Sequence, residues 1–411
     1  MTEALQTKRA EFTGRGEDGP RSFHVMAKPV AAACNLECRY CYYLRRPGIG
    51  PSQRMSREVL EAFVRDTLAA QADLPEVHFS WQGGEPLLAG LDFFREALAF
   101  QERFRPAGVR VVNALQTNGT LLDAQWAGFF AEHGFLVGIS LDGPARFHDP
   151  LRRDARGRAS HAKALRGLEA LQRCGVEFNT LTVVHHLNYR HGLGIYRFLR
   201  RIGVRHMQFI PLVERLARNA EMAAPPPADA DASLAPWTAP PEGFGRFLCE
   251  VFDEWLAHDV GSVFVQLFEE HVAALAGLPA GICVFSAACS STPILESNGD
   301  LYSCDHYAYS PYRLGNILGT PIGELVRSER QREFGRRKLD SLPADCTRCE
   351  FLAACLGGCP KHRFAAANSG GRTRNYLCPS YRLFFRHTAP ALARFAAAAG
   401  ASSGPASTAP C

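Results

Sequence analysis

Eleven cysteines in two spaced sets constrain this 411-residue chain more than any other feature. The first set is Cys34-x3-Cys38-x2-Cys41, followed at once by Tyr42 and Tyr43 and preceded by the apolar stretch Phe23–Met26. The second is Cys283-x5-Cys289-x14-Cys304, then Cys346-x2-Cys349-x5-Cys355-x3-Cys359, then x18 to Cys378. Three thiolates on one short loop can wrap one face of a cubane iron–sulfur cluster and leave one iron open; a Cys3His zinc knuckle with His24 is the competing reading. Eight cysteines meet the ligand demand of two complete [4Fe–4S] clusters, with two zinc ribbons as the alternative. Cys174, Cys249 and Cys411 remain without a role: the first two fall on helical patterns and read as small buried hydrophobes, the last lies in the tail.

A disulfide framework is the other use for so many cysteines, and the rest of the chain argues against it. The opening MTEALQTKRAEFTGRGEDGP carries no apolar core of the secretory type. No run of about 20 apolar residues, the length needed to span a bilayer, occurs anywhere. A cytoplasmic chain without a membrane anchor is therefore expected, and clustered thiols there serve metal ligation or catalysis. The net charge of +5 is thin against 46 basic and 41 acidic residues, and only five of the basic ones are Lys. That balance suits an Arg-rich, solvated surface better than a nucleic-acid groove.

Short apolar runs alternate with helical periodicity through the first half. Glu76–Trp81, Arg110–Leu115, Phe135–Leu141, Phe178–Val184 and His206–Pro211 read as strands. Ser56–Ala72, Leu91–Phe104, Asp123–His133, His161–Cys174 and Ile195–Ile202 read as the helices between them. Such alternation predicts a parallel sheet in a full or partial α/β barrel, with the active site at the C-terminal ends of the strands. The pattern breaks at a Pro/Ala-rich stretch within Leu216–Glu242 and resumes with an amphipathic helix over Gly243–His258. From Cys283 to Cys378 there is little periodicity, so metal ligation is expected to hold that region together more than a hydrophobic core does. The expected divisions are a flexible lead-in over 1–22, a barrel over 23–215, a linker with bridging helices over 216–282, a cysteine-rich domain over 283–386, and a helix end and unstructured tail over 387–411.

The Cys34-x3-Cys38-x2-Cys41 triplet with its following tyrosines resembles the signature of radical S-adenosylmethionine enzymes, whose open iron is chelated by the methionine part of the cofactor. Gly83-Gly84-Glu85-Pro86, placed after a predicted strand, resembles that family's glycine-rich motif. Glycine lets the backbone approach a ligand closely, and Glu85 could receive a cationic amino group. The eight later cysteines resemble the SPASM auxiliary-cluster domain of such enzymes. That resemblance implies one cluster on Cys283, Cys289, Cys304 and Cys359, and another on Cys346, Cys349, Cys355 and Cys378.

Within this superfamily the chain resembles the anaerobic sulfatase-maturating enzymes from about Phe23 to Arg386. The resemblance rests on FHVMAKP, ACNLECRYCYY, FSWQGGEPLL, LQTNGTLL, ISLDGP, LTVV, QFIPLVER and NGDLYSCDHY followed by LGNI. It implies a partial (β/α)6 TIM-like barrel with a C-terminal SPASM domain, S-adenosylmethionine and three [4Fe–4S] clusters. The implied reaction oxidises a Cys or Ser of a sulfatase, in a Cys/Ser-x-Pro/Ala-x-Arg segment, to Cα-formylglycine. Asp305, directly after Cys304, becomes the base that takes the thiol or hydroxyl proton. Tyr43 and Gln82 match positions near the substrate side chain. Ser140 and Asp142 could meet the cofactor's ribose, Gln116-Thr117-Asn118-Gly119 could form a cofactor-side turn, and Arg152 or its neighbour Arg153 could meet the cofactor's carboxylate. A sulfatase polypeptide, a reductant such as flavodoxin or ferredoxin, and a monomeric state complete the expectation. Two other readings stand beside it: a related enzyme acting on another ribosomal peptide, for which the lead-in is short, and a non-catalytic iron–sulfur or zinc protein.

Overall fold

The computed structural model describes residues 22–44, 53–218, 222–223, 225, 231–289, 292–368 and 370–402. The polar lead-in and Cys411 lie outside them. Six parallel strands form the frame: β1 (Met26–Ala27), β2 (Glu76–Trp81), β3 (Arg110–Thr117), β4 (Leu136–Ser140), β5 (Phe178–Val184) and β6 (His206–Pro211). Between them run α1 (Arg57–Ala70), α2 (Leu91–Phe104), α3 (Ala124–Glu132), α4 (His161–Arg173) and α5 (Gly192–Arg201). Hydrophobic spacing places each element within a few residues of the sequence reading, and local chemistry sets the ends. Ser56 caps α1 by accepting the Val59 amide, and Asp123 caps α3 by accepting those of Gln125 and Trp126.

Alternation in β2 explains how the helices attach. Val77, Phe79 and Trp81 are buried on one side of the strand, where the Trp81 ring meets Phe63 of α1 and Phe93 and Phe94 of α2 edge to face. The indole N–H is satisfied by Asn113 Oδ1 at 2.9 Å.

The sheet then continues beyond the sixth strand and into the cysteine-rich region. β7 (Phe264–Val265) pairs with β6, while β8 (Ile294–Leu295) pairs in parallel with β1 on the opposite side. Antiparallel β9 (Asp300–Tyr302) and β10 (Arg313–Asn316) follow, giving the ten-strand order β10-β9-β8-β1-β2-β3-β4-β5-β6-β7. Its two edges are β10 and β7, so the barrel is open. Strand β9 leads directly to Cys304 and Asp305, and its attachment through β8 brings them next to β1 and the first cysteine loop.

The region after Cys283 shares the barrel's core, since Phe285, Leu295, Leu301, Ile317, Tyr381 and Phe384 belong to the same buried cluster as the barrel helices. Three expectations are corrected here. The Pro/Ala-rich stretch is not loose at its described ends: Arg215–Leu216 pairs with Ser233–Leu234, and Ala235 and Ala239 are buried. The helix expected to end early within 387–411 continues as far as Ser402, since α8 spans Cys378–Ser402, in keeping with the high helix propensity of Ala. Cys174, expected to be buried, ends α4 and is exposed.

α8 is fixed against α6 (Gly243–His258) at a close crossing. A Cβ on Gly245 would lie 2.5 Å from the Ser380 carbonyl oxygen, and the Gly245 amide donates to Ser380 Oγ at 2.9 Å. Ser380 Oγ in turn donates to the Pro241 carbonyl. This crossing holds Cys378, the first residue of α8.

Candidate active site

The loop after β1 carries Cys34, Cys38 and Cys41 and is bonded to its surroundings on two sides. On one, the Glu37 amide donates to Arg153 O at 2.6 Å and the Arg39 amide to Leu151 O at 2.8 Å. On the other, the Gly84 amide donates to Ala31 O at 2.9 Å and the Glu85 amide to Ala33 O at 2.8 Å. A Cβ on Gly84 would stand 2.0 Å from the Ala33 carbonyl oxygen. Gly83 has φ +137°, a conformation that favours glycine. The two glycines thus let the strand end lie flat against the cysteine loop.

Glu85 is held entirely by the protein's own donors. It is fully buried, and its carboxyl accepts Leu87 N at 3.1 Å, Thr117 Oγ1 at 2.8 Å and Asn118 N at 2.8 Å. Burial pushes its pKa up to about 7 against the pull of those donors. The side chain ties the glycine turn to the end of β3. Beyond it, Asn118 Nδ2 donates to Asn35 Oδ1 at 2.8 Å, which joins the Gln116–Gly119 turn to the cysteine loop.

Beneath Cys38 lies a buried polar cluster. Tyr40 donates to Asp142 Oδ2 at 2.6 Å, and Arg152 Nη1 donates to the Tyr40 hydroxyl at 2.5 Å. Asp142 is fully buried and also accepts the Val183 amide at 3.0 Å, so it orients Tyr40. Ser140 is buried at the end of β4. Arg152 is buried and its Nε has no hydrogen-bond partner, an unmet donor beside the cysteine loop that suits an anionic occupant. Arg153 is exposed and spent on the Asp149 and Gly157 carbonyls, so of the two arginines only Arg152 faces the site.

Asp305 bridges the two halves of the molecule. Lys28 Nζ donates to its Oδ1 at 2.7 Å and the Tyr42 hydroxyl donates to its Oδ2; the Lys28 side chain is 2% exposed and that of Asp305 14%. The Tyr43 ring lies under the Lys28 ammonium at 4.4 Å, and its hydroxyl donates to Glu296 Oε2 at 2.5 Å. The tyrosine that meets Asp305 is therefore Tyr42, while Tyr43 is buried behind it. Gln82 is half-buried at the end of β2, with its amide on Ala27 O at 2.9 Å. The Lys361 ammonium sits 4.7 Å from the Tyr42 ring centroid and pairs with buried Glu214. Sequence reasoning passed over Lys28, Tyr40, Tyr42, Glu214 and Lys361. The available signal was Lys28 itself, a cation at the end of an apolar strand, which burial tolerates only with a partner.

All thirteen described cysteines are free thiols. The first set is mutually close: Cys34 is pushed up to about 12 by burial, with Cys38 and Cys41 adding to it, and Cys38 to about 11 by burial against the pull of Arg152. Cys304 is raised by burial and then by Cys283, Cys359 and Cys289; Cys355 is pushed up to about 12 by burial and by Cys346, Cys378 and Cys349. These neighbourhoods are the two interleaved sets implied by the resemblance. Among the described residues no three His, Cys, Asp or Glu side chains close on a single metal ion, as a zinc site would require. All-thiol sets of this breadth fit iron–sulfur clusters, and ligation would displace the thiol protons that burial retains. The last set lines a cavity of about 230 Å³ together with Phe351 and Tyr381.

Comparison with known proteins agrees with this arrangement. Residues 29–199 match the Radical SAM superfamily, and residues 287–350 match an iron–sulfur cluster-binding domain, SPASM. The chain is 40% identical over 375 residues to the serine-type anaerobic sulfatase-maturating enzyme of Bacteroides thetaiotaomicron, covering 90% of each chain. It is 32% identical to the cysteine-type anaerobic sulfatase-maturating enzyme of Clostridium perfringens, covering 90% of this chain and 96% of that one. The solved structure of native anSMEcpe with bound AdoMet and the Cp18Cys peptide superposes with a TM-score of 0.80 at 31% identity, over 92% of this chain and 99% of that one. The open barrel, the three thiol sets and this likeness along nearly the whole chain make it a member of the anaerobic sulfatase-maturating enzymes, a radical SAM family with a SPASM domain.

Proposed function

We propose that the chain oxidises a seryl side chain in a sulfatase polypeptide to Cα-formylglycine, with Asp305 as the base. The observation that carries the base assignment is the position of Asp305, one residue after Cys304 and in contact with Lys28 and Tyr42 around the first cysteine loop. Bound at the first thiol set, S-adenosylmethionine would supply the radical chemistry that removes a Cβ hydrogen, and clusters on the later thiols would supply the electron acceptor. The cysteines of the three sets would hold those clusters, and Arg152 would meet the carboxylate of S-adenosylmethionine. Asp305 Oδ takes the hydroxyl proton as the carbonyl forms, with Lys28 and Tyr42 fixing the carboxylate's direction. Lys28, Tyr43 and Glu85 are buried beside the cysteine loop.

The choice of Ser over Cys is supported by identity: 40% to serine-type enzymes from Bacteroides thetaiotaomicron and Klebsiella pneumoniae, and 32% to the cysteine-type enzyme of Clostridium perfringens. The reductant we propose is flavodoxin or ferredoxin, and the enzyme works as a cytoplasmic monomer. Among the described residues no helix is long and apolar enough to cross a membrane. The test incubates reduced, cluster-loaded protein with S-adenosylmethionine and paired peptides bearing Ser or Cys in the x-Pro-x-Arg context. Faster loss of two hydrogens from the Ser peptide supports the reading. Faster conversion of the Cys peptide overturns the choice of serine, and 5′-deoxyadenosine release with neither peptide changed overturns the substrate class.

A further inference from the structure

Two deeply buried cations in the cysteine-rich region have no carboxylate partner. Lys338, on the helix Glu329–Asp340, is 1% exposed, and its ammonium donates to Cys283 O at 2.6 Å and Val284 O at 2.9 Å. Arg363 is 5% exposed, and its guanidinium donates to Lys338 O at 2.6 Å, Ser341 Oγ at 2.9 Å and Gly357 O at 3.2 Å, and to Leu356 O and Gly358 O at 3.3 Å each. Every one of these acceptors is neutral. Among the described residues neither cation stands in an ion pair: Asp340 is exposed, and Asp345 accepts the Asn368 amide at 2.8 Å. The chain is nonetheless shaped to hold Arg363. Leu356, Gly357 and Gly358 are all left-handed, at φ +46°, +74° and +60°, which turns three successive carbonyls onto one guanidinium. Leucine is strained in that region, so the contacts around it must hold the turn. The turn runs from Cys355 of the outer thiol set to Cys359 of the middle one.

A buried charge needs an opposite one, and here the thiols are the groups in place to supply it. Cys283, Cys289 and Cys359 act on Lys338, while Cys289 and Cys359 together with Cys346 and Cys355 act on Arg363. Other charges near the middle set are already matched: Lys361 by Glu214 at 2.5 Å, and Asp305 by Lys28 at 2.7 Å. On the outer set Arg374 and Arg382 act on Cys378 and Asp345 opposes them. We infer that Lys338 and Arg363 are built-in counter-charges for the auxiliary iron–sulfur clusters, Arg363 shared by both, and that Lys338 raises the reduction potential of the cluster on Cys283, Cys289, Cys304 and Cys359. The inference rests on the cluster assignment and the oxidation proposed above. A cluster held by four thiolates is anionic, and one more electron adds to that charge, so a fixed cation in a site poor in water favours the reduced state. In the proposed reaction the substrate loses one electron, that cluster gains it, and the proton goes to Asp305. Lys338 keeps its protons and forms no bond.

The test is a potentiometric titration of the cluster-loaded full chain followed by electron paramagnetic resonance, with iron content measured for each protein. The signal of the first thiol set is identified by its response to S-adenosylmethionine, which leaves two auxiliary midpoints. Lys338→Gln keeps donors for the two carbonyls but no charge. It is expected to lower one auxiliary midpoint by about tenfold in the reduction equilibrium, about 59 mV for one electron, and to leave the other in place. Lys338→Arg should restore the wild-type value, and Arg337→Gln, exposed on the same helix and paired with Glu333, should change nothing. Unchanged midpoints in Lys338→Gln at full iron content, or an equal shift in Arg337→Gln, overturn the inference. If Lys338→Gln loses iron, Lys338→Met carries the same comparison. Iron loss in both neutral variants with full iron in Lys338→Arg supports a counter-charge, whereas iron loss in all three shows that shape alone matters and overturns it. The titration uses no peptide, so the substrate reading can fail without it. A wild type holding only about four irons per chain instead overturns the cluster assignment, and the inference with it.

Discussion

The first and the last thiol sets are both half-buried but are held in place in different ways. Cys34, Cys38 and Cys41 lie within eight residues of one loop, and backbone bonds from Glu37, Arg39, Gly84 and Glu85 hold that loop on two sides. Cys346, Cys349, Cys355 and Cys378 are gathered from two helical turns and the start of α8, around a cavity that shares Arg374, Cys378 and Arg382 with a neighbouring groove. The first arrangement fixes its thiols within a single braced loop. The second depends on the packing of α8 against α6, which holds Cys378. Asp305 lies between the two, attached to the inner loop by Tyr42 and Lys28 and to the outer domain by its own chain.

The contrast can be broken most severely at Gly84. Adding one methyl there, Gly84→Ala, drives a Cβ into the Ala33 carbonyl, which is backbone and cannot step aside. Iron analysis should fall from about twelve atoms per chain toward about eight, with the outer clusters retained and 5′-deoxyadenosine release abolished. Full iron content would show that the inner loop is less tightly bound than its hydrogen bonds indicate.

Asp305→Asn is expected next in size. Product formation should drop about 10²–10⁴-fold, the usual worth of general acid–base catalysis, while S-adenosylmethionine cleavage continues. Product at the wild-type rate would remove the base assignment. On the outer side, Ser380→Ala removes a hydroxyl that both accepts the Gly245 amide and donates to Pro241 O. A thermal melt should show a loss of about 1–2 kcal/mol, since a buried group is left unsatisfied, with iron loss confined to the outer site.

The smallest effect is a pH dependence at the α8 anchor. His271 of α7 (Gln266–Leu275) shares a 2.8 Å hydrogen bond with Thr388 Oγ1 of α8, and burial lowers its pKa to about 4. The folded state therefore keeps His271 neutral where the unfolded chain would protonate it. Stability from this site is present above about pH 6.5 and is lost as pH falls toward 4, by at most about 1.4 kcal/mol per pH unit. Denaturant melts across that range should be flatter for His271→Gln than for wild type. An identical slope would mean that other groups set the acid sensitivity.

Much of the frame was legible because hydrophobic periodicity is local. β2, β5, β6, α2 and α6 begin and end where the pattern says, and the spacing of thiols within a loop needs no long-range information. What spacing along the chain does not carry is the surroundings of each side chain. Glu85 and Asp142 are carboxylates, and a sequence shows their charge but not which buried donors surround them. Tyr43 and Tyr42 are neighbours, and only the direction of the chain after Cys41 decides which hydroxyl reaches Asp305. The Ala-rich end of α8 looks like a tail because its composition is low in complexity, yet alanine is the residue that most readily continues a helix.

By itself, then, the sequence determined the radical-generating loop, the supply of thiols for two further clusters, and the alternating strands and helices of an open barrel. These depend on spacing along the chain, which folding leaves unchanged. Tertiary structure decided how β8 joins the barrel beside β1, how Lys28 comes to face Asp305 across 277 positions, and how Arg374 and Arg382 come to flank Cys378. Those are contacts between distant segments, fixed by the burial of a shared core and by the need of each buried charge for a partner.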